Sequence, residues 1–399
     1  MLAACAPVRD PEALELWAMS YQGDYAPFLM PSFTAASGIP VEVQSVPWTA
    51  AHEKLLTAQA GGALPDVIML PNGWISKFEM IGALREVLRP DLVSGLFPGL
   101  VEASRVRGRD YAVPWSIAPQ VQYYRRDILE DAGFAAPPQT WDGWRTMARA
   151  IRRRRPDDSV FLMLLNYEGW LFTMLAQCGA NVLREKQTRG NFRTPEAREA
   201  FAFHKSLYDD GFAPLVLSTQ VPDALGAFAA GQFAIWCGGP TYLLDLHRRA
   251  AEIPPERWGA ARIAGPQGPG PTSAKDASLC VTTSSRRPEE AWALVRHLTS
   301  AKSELTFANL IGSLPARPEA WAGLKAPAPV LKPFAEQATD LADSPMIVEW
   351  ERIQIETTLI SERIARGLLT LDEGLAECDA RADEILAKRR ELVQAGQIA

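Results

Sequence analysis

The chain is poor in the residues that most often announce chemistry. It has four histidines in 399 residues, His52, His204, His247 and His297, and each is isolated. No HExxH or other metal-ligand pair occurs, so no metal is expected. Of the five cysteines, Cys5, Cys178, Cys237, Cys280 and Cys378, no two form a CxxC, so neither a zinc site nor a redox motif is suggested, and an exported chain leaves a disulfide open without assigning it. Cys237 and Cys280 lie in apolar runs and read as small buried hydrophobes. There is no GxSxG elbow and no GxGxxG after a strand. The Gly/Pro stretch Gly265 to Pro271 lacks the Lys-Ser/Thr ending of a phosphate loop, and its prolines remove backbone donors; it reads as a linker. No cofactor is therefore expected. A positive field is missing too: the net charge is −6, so no nucleic acid or anionic membrane surface is implied as partner. No run of 18 apolar residues occurs, which excludes a transmembrane helix. Paired carboxylates leave no sequence signature, so a glycoside hydrolase stays open as a rival reading.

What is present is ample core material. Hydrophobic residues make up 47% of the chain, enough for two or three domains. Short apolar runs alternate with amphipathic stretches, which predicts an α/β chain with mostly parallel strands. The strands are expected at Leu14 to Met19, Val41 to Val46, Asp66 to Leu70, Val121 to Tyr124, Val160 to Leu165, Phe233 to Cys237 and Ser278 to Thr282. Thr140 is placed to cap a helix with the stripe Trp144, Met147, Ala148 and Ile151. Thr194-Pro195-Glu196 opens another that Gly211 ends, and Thr370 to Glu373 has capping-box spacing. The run Arg152 to Arg155 sits at the end of the Thr140 helix, where cations complement the dipole.

Near the start, Leu2-Ala3-Ala4-Cys5 has the form of a lipobox, with a Pro-containing polar leader behind it and no charged or apolar signal region ahead of it. Lipid modification at Cys5 is the expectation, the sequence then starting inside a signal peptide.

Several segments, in order, resemble the extracellular solute-binding proteins of ABC sugar importers, the maltose- and trehalose-binding family. Lys54 to Leu70, KLLTAQAGGALPDVIML, is similar to that family's helix, Gly turn and Pro-Asp-Val strand. Gly108 to Asp127, GRDYAVPWSIAPQVQYYRRD, followed by Ala132 to Trp144, AGFAAPPQTWDGW, is the most specific match. Ala227 to Pro240, AFAAGQFAIWCGGP, the Glu290-Ala291-Trp292 helix leading to Ile311 to Arg317, and Gly367 to Glu373 complete the series.

The resemblance implies a two-lobed α/β periplasmic-binding-protein fold of type II with the ligand in the interlobe cleft. Its lobes would be residues 6–116 plus 276–314, and 117–275 plus 315–399. It implies a monomeric, non-enzymatic sugar-binding component that serves an ABC permease in the periplasm or on the envelope exterior, reaching the membrane only through a lipid anchor. A polyol or glycerol-phosphate-type solute is the alternative ligand class. Loops at strand ends face the ligand in open α/β sheets. Aromatic rings suit the C–H faces of a pyranose and polar side chains suit its hydroxyls. On that basis the expected ligand contacts are Gln22, Asp24, Asn72, Trp74, Glu168, Trp170, Gly239 and Tyr242, and the resemblance adds Trp115 and Asp276 at the crossings between lobes and Trp350, which is similar to a C-terminal cleft Trp of relatives. Glu168 and Trp170 are similar to an acidic–aromatic pair of relatives. Thr241 stands where relatives carry the Trp of a Gly-Pro-Trp loop, with Tyr242 as the substitute. Trp141, Trp144 and Trp292 are expected to be structural.

Overall fold

The computed structural model describes residues 12–272, 274–342 and 344–398, so Cys5 and its leader lie outside the described residues. The strands of its two larger sheets are, in chain order, β1 (Leu14–Met19), β2 (Val41–Val46), β3 (Val67–Leu70), β4 (Val113–Pro119), β5 (Val121–Arg125), β6 (Phe161–Leu162), β7 (Ile235–Gly238), β8 (Trp258–Ala261), β9 (Ala274–Val281) and β10 (Leu314–Pro315). The chain divides into two compact units. The first comprises residues up to Ile117 and Asp276–Lys325; the second comprises Ala118–Lys275 and Ala326–Ala399.

The first unit is built on the sheet β10-β4-β9-β3-β1-β2. β1 pairs in parallel with β2 and β3, whereas β9 runs antiparallel to β3 and β10 antiparallel to β4. The second unit carries the sheet β8-β5-β7-β6, in which β7 is parallel only to β6. The expected mostly parallel sheets are thus mixed. The antiparallel members include β9, laid down as the chain re-enters the first unit.

Locally coded features form where the sequence places them. Thr140 Oγ1 accepts from the Gly143 amide at 3.2 Å, and Thr194 Oγ1 from that of Ala197 at 3.2 Å. Thr370 and Glu373 make the reciprocal capping box. The arginine run ends its helix as expected: Arg152 donates to the Asp158 carbonyl, and Arg155 to the Asp158 carboxylate and the Gly231 carbonyl. Trp141 and Trp144 are buried, Trp141 stacking on Phe203 at 4.1 Å, and Trp292 is buried in the first unit. Cys178, Cys237, Cys280 and Cys378 form no disulfide with one another among the described residues.

Two expectations about connections are corrected. Residues 315–325 group with the first unit, so the last passage of the chain falls after Lys325 and not between residues 314 and 315. The cause is Arg317, whose guanidinium donates to the carbonyls of Thr299, Ser94 and Leu92, and Trp321, whose ring meets Phe97 at 5.7 Å. The Gly265 to Pro271 stretch is a packed loop and not a free linker. Trp141 N donates to Gly265 O, and a Cβ on Gly265 would stand 2.2 Å from Gly268 O.

Candidate functional site

In the first unit the parallel strands β1, β2 and β3 all run into helices at the same sheet edge. β1 passes directly into the helix Ser20–Tyr25 through Ser20, held at φ 43°. That helix lies hard against the strand ends: a Cβ on Gly23 would be 2.4 Å from Ala18 O and 2.7 Å from Ser45 Cα. Only glycine fits there. Beside it Gln22 is half-buried and Asp24 is exposed. β3 passes through Pro71 into the helix Asn72–Met80. Asn72 is buried and its Oδ1 accepts from Ser278 Oγ at 2.8 Å, so part of its polar capacity ties the helix start to β9. Trp74 is half-buried and meets the His52 ring at 4.9 Å and the Trp48 ring at 6.0 Å. Lys77 Nζ donates to His52 Nε2 at 2.8 Å and props the imidazole under Trp74.

Trp48 was not among the expected contacts. It opens the helix Trp48–Ala60 after β2 and is 42% exposed. Its signal was available: Pro47-Trp48 follows one strand much as Pro71-Asn72-Gly73-Trp74 follows the next.

In the second unit the loops after β6 and β7 carry the polar and aromatic groups. Tyr167 is half-buried and its hydroxyl donates to Gln120 Oε1 at 2.9 Å. Its ring lies over Gly169, where a Cβ would come within 2.4 Å. Glu168 is half-buried at the start of the helix Gly169–Gln177. After β7, Tyr242 folds back over Gly238, where a Cβ would meet its ring at 2.4 Å. It packs on Trp236 at 4.0 Å and meets Tyr123 edge-on at 6.2 Å. Tyr123 OH donates to the carbonyl of buried Gly239 at 2.8 Å. Burial raises the phenol pKa of Tyr242, and raises those of Tyr123 and Tyr167 further, so all three are neutral donors at ordinary pH.

Three expected contacts are core residues. Trp115 is 1% exposed and stacks on Phe307 at 4.4 Å, because β4 runs inside its sheet between β10 and β9. Trp170 is also 1% exposed; its indole donates to Leu162 O and its ring meets Trp144 at 5.9 Å. The helix turns it inward, while Glu168 is half-buried at the helix start. Trp350 is buried edge-on against Phe172 at 5.5 Å. The side chain of Asp276 lies outside the described residues. Among the described residues no group of three His, Cys, Asp or Glu side chains is placed to hold a metal.

Strand-end faces that mix aromatic rings with hydrogen-bonding groups are the surfaces with which solute-binding proteins hold polar ligands. The chain belongs to the bacterial extracellular solute-binding protein family, whose model matches residues 29–330. It is similar to the sugar-binding protein MalE from the phytopathogen Xanthomonas citri, with 34% identity, a TM-score of 0.91, and 96% of this chain and 99% of that one covered. A binding protein of Brucella abortus is 26% identical over 376 residues, 92% of this chain and 90% of that protein. The mannitol-binding protein of Pseudomonas aeruginosa is 28% identical over 172 residues, 41% of this chain and 38% of that protein. The fold is the two-lobed type II fold of the MalE-like proteins, and the relatives are binding proteins, not enzymes.

Proposed function

We propose that the chain is the sugar-binding component of an ABC importer. It takes up a disaccharide or short oligosaccharide of the maltose or trehalose kind in the cleft between its lobes and delivers it to the permease as a monomer. The observation that carries this is the likeness to a sugar-binding protein over 96% of the chain at 34% identity. The side chains support it. Gln22, Asp24, Trp48 and Trp74 in one unit, and Glu168, Tyr242 and the Gly239 loop in the other, mix ring faces with hydrogen-bonding groups as a pyranose requires. Cys5 is the proposed lipid anchor, to be found as a diacylglyceryl N-terminus by mass spectrometry of envelope material.

A thermal-shift panel tests the ligand. A sugar present at a hundredfold Kd stabilises the folded state by about 2.7 kcal/mol. Maltose or trehalose is expected to raise the melting temperature, and a panel of neutral sugars without any shift would refute the reading. A polyol is the second reading, supported by the match to a mannitol-binding protein. Mannitol, sorbitol and glycerol phosphate in the same panel decide between them.

A further inference from the structure

Gln120 is 3% exposed, and beyond its own segment its contacts reach three others of the second unit. It stands just beyond the point where the chain passes from the first unit, between Ile117 and Ala118. Its Nε2 donates to Ala118 O at 3.2 Å, at the end of β4. Its Oε1 accepts from Tyr167 OH at 2.9 Å, in the loop after β6. Its backbone carbonyl accepts from Thr272 Oγ1 at 3.2 Å, three residues before the chain passes back after Lys275. Its amide nitrogen also lies against Gly239 in the loop after β7, where a Cβ would be 3.4 Å away.

A buried glutamine amide must find partners or cost stability, and a methionine of similar length would fill the same space without that demand. What distinguishes this glutamine is its set of partners. Its backbone carbonyl joins the segment by which the chain enters the unit to Thr272 on the segment by which it leaves, and its side-chain amide reaches the two loops that carry Glu168 and Tyr242. We infer that Gln120 is a positioning residue: it fixes the loops after β6 and β7 relative to the two connecting segments, and so sets the ligand-binding geometry without being a ligand contact itself. The inference rests on the proposed binding role of those loops. A shift of either connecting segment is transmitted to Tyr167 through one hydrogen bond, and the phenol, kept neutral by burial, remains a donor across the working pH range.

The test uses Gln120→Met, Tyr167→Phe and the double variant, with two readouts. The first is hydrogen exchange of the ligand-free protein. Gln120→Met should speed exchange of the amides at 166–169 and 239–242, with little change elsewhere or in melting temperature. The second is calorimetric titration with maltose, trehalose and mannitol. Each single variant should weaken binding about twofold to tenfold, the worth of one net hydrogen bond. The double variant should be no weaker than the worse single, because both remove the same link. Unchanged exchange in both loops, or additive losses of affinity, would overturn the inference. If Gln120→Met does not fold, Tyr167→Phe, which loses only a hydroxyl, decides by the same readouts. If the wild-type protein binds none of the three probes, the ligand reading fails on its own and the exchange result still decides the positioning role.

Discussion

Trp48 and Trp74 stand at the starts of the helices that follow β2 and β3, the two strands flanking β1, their rings meeting at 75° with centroids 6.0 Å apart. Each is the aromatic residue closest to the exit of its strand, and the two together present a corner of indole surface. His52 and Lys77 back this corner from below. An exposed indole corner over a packed imidazole is rigid, so a sugar ring laid on it loses little affinity to side-chain ordering.

Replacing either tryptophan with alanine should therefore weaken sugar binding by about 1–3 kcal/mol, taking base–aromatic stacking as the guide. That is a tenfold to hundredfold rise in Kd, on the order of one to two decades. Trp48 is substantially exposed, so Trp48→Ala should leave the melting temperature of the ligand-free protein nearly unchanged. Titration calorimetry on Trp48→Ala and Trp74→Ala measures the effect. Wild-type affinity in both would remove the corner from the site.

The buried tryptophans should behave in the opposite way. Trp115, Trp170 and Trp350 are buried among core side chains. Truncating a core tryptophan typically costs about 3–5 kcal/mol of stability. Denaturant unfolding of Trp170→Ala and Trp350→Ala should show a loss of that size, and the protein that remains folded should bind ligand with wild-type affinity. Weakened binding at unchanged stability would return these residues to the site.

These tryptophans also mark how far the sequence could be read. The caps at Thr140, Thr194 and Thr370 were legible because a cap is decided within four residues. The positions of β1 and β2 were legible because their apolar pattern is local. The fate of Trp170 was not. It stands two residues from Glu168, and only the direction in which the helix Gly169–Gln177 packs decides which of the two faces inward. Trp115 sits beside a passage between units, but its burial depends on strands that arrive about 160 and 200 residues later, β9 and β10. Trp48 escaped notice for the converse reason: nothing local separates a helix-start tryptophan that stays exposed from one that turns in. The passage after Lys325 was hidden in the same way, because Arg317 finds its carbonyl partners at Leu92, Ser94 and Thr299 only in the folded unit.

Glu304 makes the stability of the first unit sensitive to alkali. It is buried, and burial raises its carboxyl pKa well above the usual value despite the Arg317 amide on its Oε2 at 2.9 Å. Its Oε1 has no hydrogen-bond partner among the described residues. A carboxyl with a raised folded-state pKa contributes stability that is full below its unfolded pKa and is lost as pH rises through the folded one. Glu304→Gln keeps an acceptor for the Arg317 amide and cannot ionise. Its melting temperature should exceed that of the wild type at pH 8, with the advantage shrinking toward pH 5. A variant less stable at every pH would mean that the carboxylate is ionised and held by Arg317.

His204 should set the acid limb of the second unit. It is buried edge-on against Tyr208, with ring centroids 5.2 Å apart, and desolvation lowers its pKa from 6.5 to about 4. In the unfolded chain the imidazole takes a proton below its ordinary pKa, whereas in the folded chain it does not until about pH 4. The unfolded state therefore binds more protons throughout that window. Stability is at its full value above pH 6.5, falls as pH drops toward 4, and levels off below. At 1.36 kcal/mol per pH unit, the full loss is on the order of 3 kcal/mol. Unfolding midpoints in urea, measured from pH 7.5 to 4, should trace this fall in the wild type. His204→Phe keeps an aromatic ring against Tyr208 and removes the titration, so its curve should be flatter by about the same amount over that window. Parallel curves for the two proteins would show that other groups govern the acid limb and that His204 is protonated without unfolding its surroundings.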